Sequence, residues 1–182
     1  MASSYCTYVA GGSANPLHGE YHDREYGFAV ESDDVLFERL ILEVNQAGLS
    51  WETILKRREG FREAYDQFAV SKIANYGDGD IERLLSDSAI IRNRLKVLAA
   101  IHNAQVVQEL QNEFGSFKAW LDSLPSMDLS EWVRLFRSKF KFTGPEIVRE
   151  FLVSTGYLPG AHDEDCPIYA VALASKPRWS AP

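Results

Sequence analysis

The sequence lacks the features that would place it quickly in several large classes. It has only two cysteines in 182 residues, Cys6 and Cys166, at opposite ends of the chain. A secreted disulfide scaffold usually carries more, and a cytosolic setting disfavours a bridge between them, although spacing alone leaves that pairing open. No apolar run approaches the ~18 residues a membrane span needs, and no basic-then-apolar leader stands at the start. Internal repeats and low-complexity tracts are absent. Positive charge is in deficit: 19 Lys and Arg against 26 Asp and Glu leave a net charge of −7. Nothing global therefore attracts nucleic acid or an anionic membrane, and any nucleic acid must meet a local basic face. These absences predict a soluble, cytoplasmic protein with no membrane partner, expected as a monomer.

What is present is a core. The chain is 46% apolar and 12% aromatic, enough for one packed domain or two tightly apposed helical lobes, and too aromatic for disorder. Residues 1–31, rich in Tyr, Gly and Ser, show no clean period and read as an ordered but irregular arm. From Ser32 the pattern is helical almost throughout. Ser32 is a natural N-cap, with Asp33 and Asp34 in the first turn where the helix dipole favours them. That helix is expected to run to Ala47 and stop at Gly48. Ser50 then caps a second helix opening at Trp51, which makes a tight helical hairpin. Short helices are expected over 50–58, 59–67, 71–76 and 79–87. A long one fits 91–114, where Val97, Ile101, Ala104, Val107, Leu110 and Phe114 share a face. Segments 116–122 and 130–140 are amphipathic, and Pro145 suits the first turn of a last helix ending near Gly156. No stretch alternates as a strand, so the fold class is all-α. The domain reading is a single unit over 1–182: arm 1–31, helical body 32–157, C-terminal segment 158–166 and a tail 167–182 without a clear signal.

Three constellations carry chemistry. His162-x-x-x-Cys166 and the pair Cys6 and His22 together form a Cys2His2 set suited to a closed tetrahedral zinc site. His18, four residues before His22, is a competing ligand that spacing does not exclude. Joining residues 6 and 166 would close nearly the whole chain, with an entropic effect on the order of 5 kcal/mol by analogy with a long disulfide loop. The second constellation is Glu43, an acid inside Leu40-Ile41-Leu42-Glu43-Val44. At about 100° per residue it falls on the stripe of Leu36, Leu40 and Ala47, while Asp34, Glu38 and Asn45 are expected on the solvent side. A carboxylate on a core-facing stripe loses solvation unless it has partners, and such groups cluster at functional sites. Beside it, Gln46-Ala47-Gly48-Leu49-Ser50-Trp51 sets a leucine at the tip of a turn and an indole after it. With Tyr5, Tyr8, Tyr21 and Tyr26 these would suit a flat, electron-poor ring held by stacking and by a hydrogen-bond acceptor. The third is basic: Arg92, Arg94 and Lys96; Arg134, Arg137, Lys139 and Lys141; and Lys56, Arg57 and Arg58. His102 lies inside the long helix without an evident role.

Tyr21-His22-Asp23, Glu25-Tyr26-Gly27, Leu42-Glu43 and Gln46-Ala47-Gly48-Leu49-Ser50-Trp51 resemble the DNA-3-methyladenine glycosylase I family. The resemblance continues through 54–59, 90–96, Phe140-Lys141-Phe142-Thr143-Gly144-Pro145 and the His162/Cys166 pair, covering roughly nine-tenths of the chain in order. It implies a helix-hairpin-helix glycosylase fold, with the hairpin at 87–97, and one structural zinc per chain on Cys6, His22, His162 and Cys166. It further implies a base pocket of Glu43, Tyr21 and Trp51 with Tyr8 and Tyr26 as outer wall, Gly48 and Leu49 against the DNA, and Arg92, Arg94 and Lys96 on the backbone. The implied activity is hydrolysis of the N-glycosidic bond in double-stranded DNA carrying alkylated bases, releasing free 3-methyladenine. The alternative is a non-catalytic zinc-stabilised module that binds damaged DNA. The chain departs from the family at Tyr8 and Tyr26, where Trp is common, at His18, where Tyr occurs, and at Val44-Asn45 in place of Gly-Gln. The 87–97 segment lacks the Gly-rich turn and the Asp of the wider superfamily, so base removal is not assigned to such an Asp.

Overall fold

In the computed structural model, which describes residues 4–181, every regular element is a helix. Residues 1–3 of the arm and residue 182 of the tail lie outside the described residues. The chain divides into two compact units, residues 31–148 and residues 1–30 with 149–182, the boundary falling inside one helix.

The larger unit opens with α3 (Asp33–Gln46), following α1 (Tyr5–Ala10) and α2 (Pro16–Arg24) of the smaller unit. The Ser32 hydroxyl accepts from the Val35 amide, so the expected cap is real. Ser50 caps α4 (Trp51–Ala64) through the Thr53 amide. The two short helices expected over 50–67 are one, because α4 runs straight through Gly60. A Cβ at Gly60 would lie 2.7 Å from that of Ala89, so glycine here serves a close approach and not a break. Next come α5 (Val70–Ile73), α6 (Asp78–Ser86) and the long α7 (Arg94–Phe114), which begins three residues later than expected because Asn93 accepts from the Leu95 and Lys96 amides. α8 (Phe117–Ser123) and α9 (Leu129–Lys139) follow, the latter opened by a reciprocal Asp128/Glu131 capping box.

The core of this unit lies between α3, α4 and α7. Leu36, Phe37, Leu40, Ile41 and Val44 of α3, Phe61 of α4, Tyr65 just beyond it, and Val97, Ala100 and Ala104 of α7 are all nearly inaccessible, and α3 packs against both α4 and α7. At about 25 cal/mol per Å² of apolar surface removed from water, each such large side chain contributes roughly 1.5–3 kcal/mol. A second aromatic cluster joins Phe117, Trp120, Phe136 and Phe140, with ring centroids 5.2–6.1 Å apart. Asp33 fastens α8 to the start of α3, accepting from the Phe117 and Lys118 amides at 2.8 and 2.9 Å.

α10 (Pro145–Ser154) carries the chain into the smaller unit, where Phe151, Leu152, Val153 and Tyr157 are buried. The arm expected to be irregular contains α1 and α2, capped by Ser4 and Asn15, with Pro16 at the first helical position. The tail contains α11 (Pro167–Ala174). These helices have six to nine residues, too short to be stable alone, so their sequence periodicity is weak and packing sustains them. No helix among the described residues is long and apolar enough to cross a membrane.

Candidate active site

Glu43 lies in the most buried stretch of α3, residues 36–45, and is itself 5% exposed. The same stretch corrects the expected solvent side of the helix. Glu38 is 5% exposed because Arg58 and Arg62 of α4 meet it: Arg58 Nε donates to Oε1 at 2.6 Å and Arg62 Nε at 3.0 Å. Asn45 is 1% exposed, and its Nδ2 donates to the Ile41 carbonyl at 2.8 Å. Asp34 is exposed as expected.

Beyond Gln46 the chain reverses in a tight turn. Ala47 (φ −51°, ψ 115°) and Gly48 (φ 84°) have the angles of a type II turn, whose third position favours glycine. The Leu49 amide closes it on the Gln46 carbonyl at 2.7 Å, and Gln46 Nε2 donates to the Leu49 carbonyl at 3.0 Å. Leu49 is consequently displayed at the surface, and Trp51 is half-buried at the first position of α4. Within this unit the sequence-predicted acid and indole thus stand eight positions apart, on either side of the turn of one helical hairpin.

In the smaller unit Tyr21 and Tyr26 are buried, their rings tilted at 5.7 Å. Tyr26 also meets Tyr5 edge-on at 5.2 Å, and its hydroxyl donates to Glu150 Oε2 at 3.1 Å. Burial, with the Glu150 charge second, pushes the Tyr26 phenol well above its ordinary pKa, so it stays a donor. Tyr8 is the outlying member, exposed and stacked on Tyr5 at 6.3 Å. Glu150 was not visible as a partner in the sequence, since nothing local connects it to a tyrosine 124 residues away.

The same unit gathers Cys6, His22, His162 and Cys166, with one ligand atom from each within 4.8 Å of the others. Outer partners decide which imidazole nitrogens face inward. His22 Nδ1–H donates to Asp23 Oδ1 at 2.8 Å, leaving Nε2 3.3 Å from the Cys6 sulfur. His162 Nε2–H donates to the Tyr26 carbonyl at 2.7 Å, leaving Nδ1 3.2 Å from His22 Nε2. Burial, then the neighbouring Cys166, pushes the Cys6 thiol up to about 11. Cys6, His22 and His162 are buried and Cys166 is half-buried, and two thiols with two imidazoles form a donor set of the kind that could hold a metal ion. His18 does not belong to it: its Nδ1 lies 2.9 Å from the Tyr5 hydroxyl. Both cysteines are free thiols.

The basic residues sort differently from their order in sequence. Lys96, expected on the DNA backbone, is 7% exposed, and its Nζ donates to the carbonyls of Asn45 and Ala47 at 2.8 and 2.9 Å. Its ammonium is thus engaged by the backbone at the end of α3. Arg92 and Arg94 are exposed, Arg94 lying 3.4 Å from Glu82. Of the third cluster, Lys56 pairs with Glu52, Arg57 donates to the Ser88 carbonyl and Arg58 is buried on Glu38. Arg134, Arg137 and Lys141 are exposed and form no ion pair among the described residues. Two of them line a groove of about 610 Å³ with Leu129, Ser130, Val133 and Pro145. His102 and Asn103 of α7 anchor the backbone beside them: His102 Nε2 is 3.1 Å from the Lys139 carbonyl, and the Lys141 amide donates to Asn103 at 2.8 Å.

The all-helical fold is one found in DNA glycosylases. A solved 3-methyladenine DNA glycosylase I from Staphylococcus aureus superimposes with a TM-score of 0.79 at 32% identity, covering 91% of this chain and 97% of that one. Residues 11–132 match the methyladenine glycosylase family. A DNA-3-methyladenine glycosylase of Haemophilus influenzae is 33% identical over 170 residues, 83% of this chain and 91% of the relative. The DNA-3-methyladenine glycosylase 1 of Escherichia coli is 43% identical over 99 residues, a match spanning about half of each protein, 54% of this chain and 53% of the relative. The chain belongs to the methyladenine glycosylase family.

Proposed function

We propose that the protein is a monofunctional DNA glycosylase that hydrolyses the N-glycosidic bond of 3-methyladenine in alkylated double-stranded DNA and releases the free base. The observation that carries this reading is Glu43, a carboxylate buried within an apolar helical stretch and followed by a leucine-tipped turn and an indole. Methylation leaves adenine cationic while it is attached to the sugar, so the base is already a good leaving group and no strong acid is required. A buried carboxylate then discriminates, since it favours the cationic lesion over neutral adenine through charge-assisted hydrogen bonds. Trp51 supplies a stacking face for the cation. Tyr21 adds a polar handle, with Tyr26 and Tyr8 as its aromatic surroundings. Leu49, at the tip of the Gly48 turn, fills the stack vacated by the extruded nucleotide. The sequence places no lysine beside Glu43 that would serve as a nucleophile, and Lys96 is engaged by two carbonyls. Hydrolysis without strand cleavage follows. Chromatography of bases freed from methylated DNA tests the reading. 3-Methyladenine in the eluate supports it; binding to methylated DNA with no base released replaces it with a non-catalytic damage-binding module.

The cysteine and histidine cluster is proposed to hold one structural zinc on Cys6 Sγ, His22 Nε2, His162 Nδ1 and Cys166 Sγ. Four protein donors leave no open position for water, so such an ion holds structure and performs no step. Protein prepared without chelators should carry about one zinc per chain by elemental analysis, and the His162→Ala variant should lose zinc and melt earlier. A metal-free protein with the wild-type melting temperature would contradict the assignment.

For the DNA backbone, exposure favours Arg134, Arg137 and Lys141, with Lys139 beside them and Arg92 and Arg94 joining, over Lys96, whose ammonium donates to two carbonyls. Arg137→Ala with Lys141→Ala should weaken binding to damaged and undamaged duplexes alike and reduce the slope of log affinity against log salt by about one unit per lost contact. An unchanged slope would move the DNA face elsewhere.

A further inference from the structure

We infer that Lys96 is a positioning residue for base extrusion: its ammonium, seated on the C-terminal end of α3, fixes the turn that displays Leu49 and leads into Trp51. The inference rests on the proposed pocket. The last carbonyls of a helix have no partner within it and carry its negative end. α3 has no basic residue in its own last turn, and Lys96 supplies the missing cation from α7 by donating to Asn45 and Ala47. The placement opposes the local electrostatics of α7. Lys96 is in the first turn of that helix, at its positive end, where a cation is disfavoured. Burial also disfavours its charge. A residue that breaks a local rule twice is held there by a gain elsewhere, and here the gain is a fixed backbone at residues 45–47. Those residues start the Ala47–Gly48 turn, and the Gln46–Leu49 bonds finish it. Without the ammonium the turn would keep its closing bonds and lose its anchor to α7.

The test is Lys96→Met, which keeps an unbranched side chain one atom shorter and removes the charge. Misplacing a reacting constellation by about 1 Å costs up to ~100-fold, so single-turnover excision from methylated duplex should fall about tenfold per folded molecule. Affinity for free 3-methyladenine should stay within about twofold, and the salt slope should not change. Combined with Leu49→Ala, the loss should be smaller than the product of the two, as for residues acting through one element. Hydrogen exchange reads the turn whether or not the protein is active: the Leu49 amide should exchange about tenfold faster, with Val107 in the core of α7 unchanged. A slope reduced by about one unit would make Lys96 a phosphate contact. Unaltered exchange at Leu49, or independent effects of the two substitutions, would overturn the inference. Wild-type protein that releases no base would sink the pocket reading alone, leaving the exchange result to decide for Lys96. Should Lys96→Met fail to fold, Lys96→Gln, whose amide can still donate to one carbonyl, is measured in the same way.

Discussion

Replacing Glu38 by alanine is expected to lower the free energy of unfolding by about 3–5 kcal/mol. The Glu38 carboxylate is 6% exposed at the side chain and meets Arg58, itself 10% exposed, and Arg62, 30% exposed. Without Glu38, Arg62 can turn toward water, whereas Arg58 stays charged in the core and loses the carboxylate 2.6 Å from its Nε. The loss of that buried counter-charge supplies most of the effect. Removing both sides together, with Glu38→Leu and Arg58→Met, should recover most of the stability, since a buried pair is worth little more than well-packed apolar side chains of the same size. Urea unfolding at neutral pH checks this through the midpoint, with the m-value expected to stay constant. A loss below about 1 kcal/mol for Glu38→Ala would class the network with exposed ion pairs. The consequence for function is indirect but specific, because this network ties α3, which carries Glu43, to α4, which begins at Trp51.

The same helix shows what was legible beforehand. Glu43 was readable because an acid flanked by Leu42 and Val44 on a core-facing stripe is anomalous whatever surrounds it. Ser32, Ser50, Gly115 and Pro145 marked helix ends through local chemistry, and all four hold. Glu38 and Asn45 were misread for a complementary reason. Periodicity within one helix says which way a side chain points, not what meets it there, and Arg58 lies 20 residues away. Lys96 shows the same limit: beside Arg92 and Arg94 it reads as part of a basic patch, and only the Asn45 and Ala47 carbonyls, about 50 residues upstream, show what its ammonium meets. The helices of the arm and tail escaped notice because short segments owe their conformation to packing. The cysteine and histidine set was visible by spacing with His18 as a rival ligand. In the structure His18 meets the Tyr5 hydroxyl, while His22 and His162 lie together with the two cysteines.

Glu43→Gln tests the central claim most directly. Glutamine keeps the shape of the side chain and loses its charge, so it accepts a weaker hydrogen bond from the methylated base and presents an amide donor that the cation does not want. Charge-assisted hydrogen bonds are worth about 1.5–3 kcal/mol, and excision should therefore fall on the order of ten- to a hundredfold. A purely structural Glu43 would behave otherwise, since glutamine can satisfy the same neighbours and the change would appear in the melting temperature. The measurement is the single-turnover rate of 3-methyladenine release from methylated duplex by the wild-type and Glu43→Gln proteins, each corrected for its folded fraction from a melting curve. The account predicts a folded Gln variant slowed by at least about tenfold with its melting temperature nearly unchanged. A folded variant releasing 3-methyladenine at the wild-type rate would contradict it.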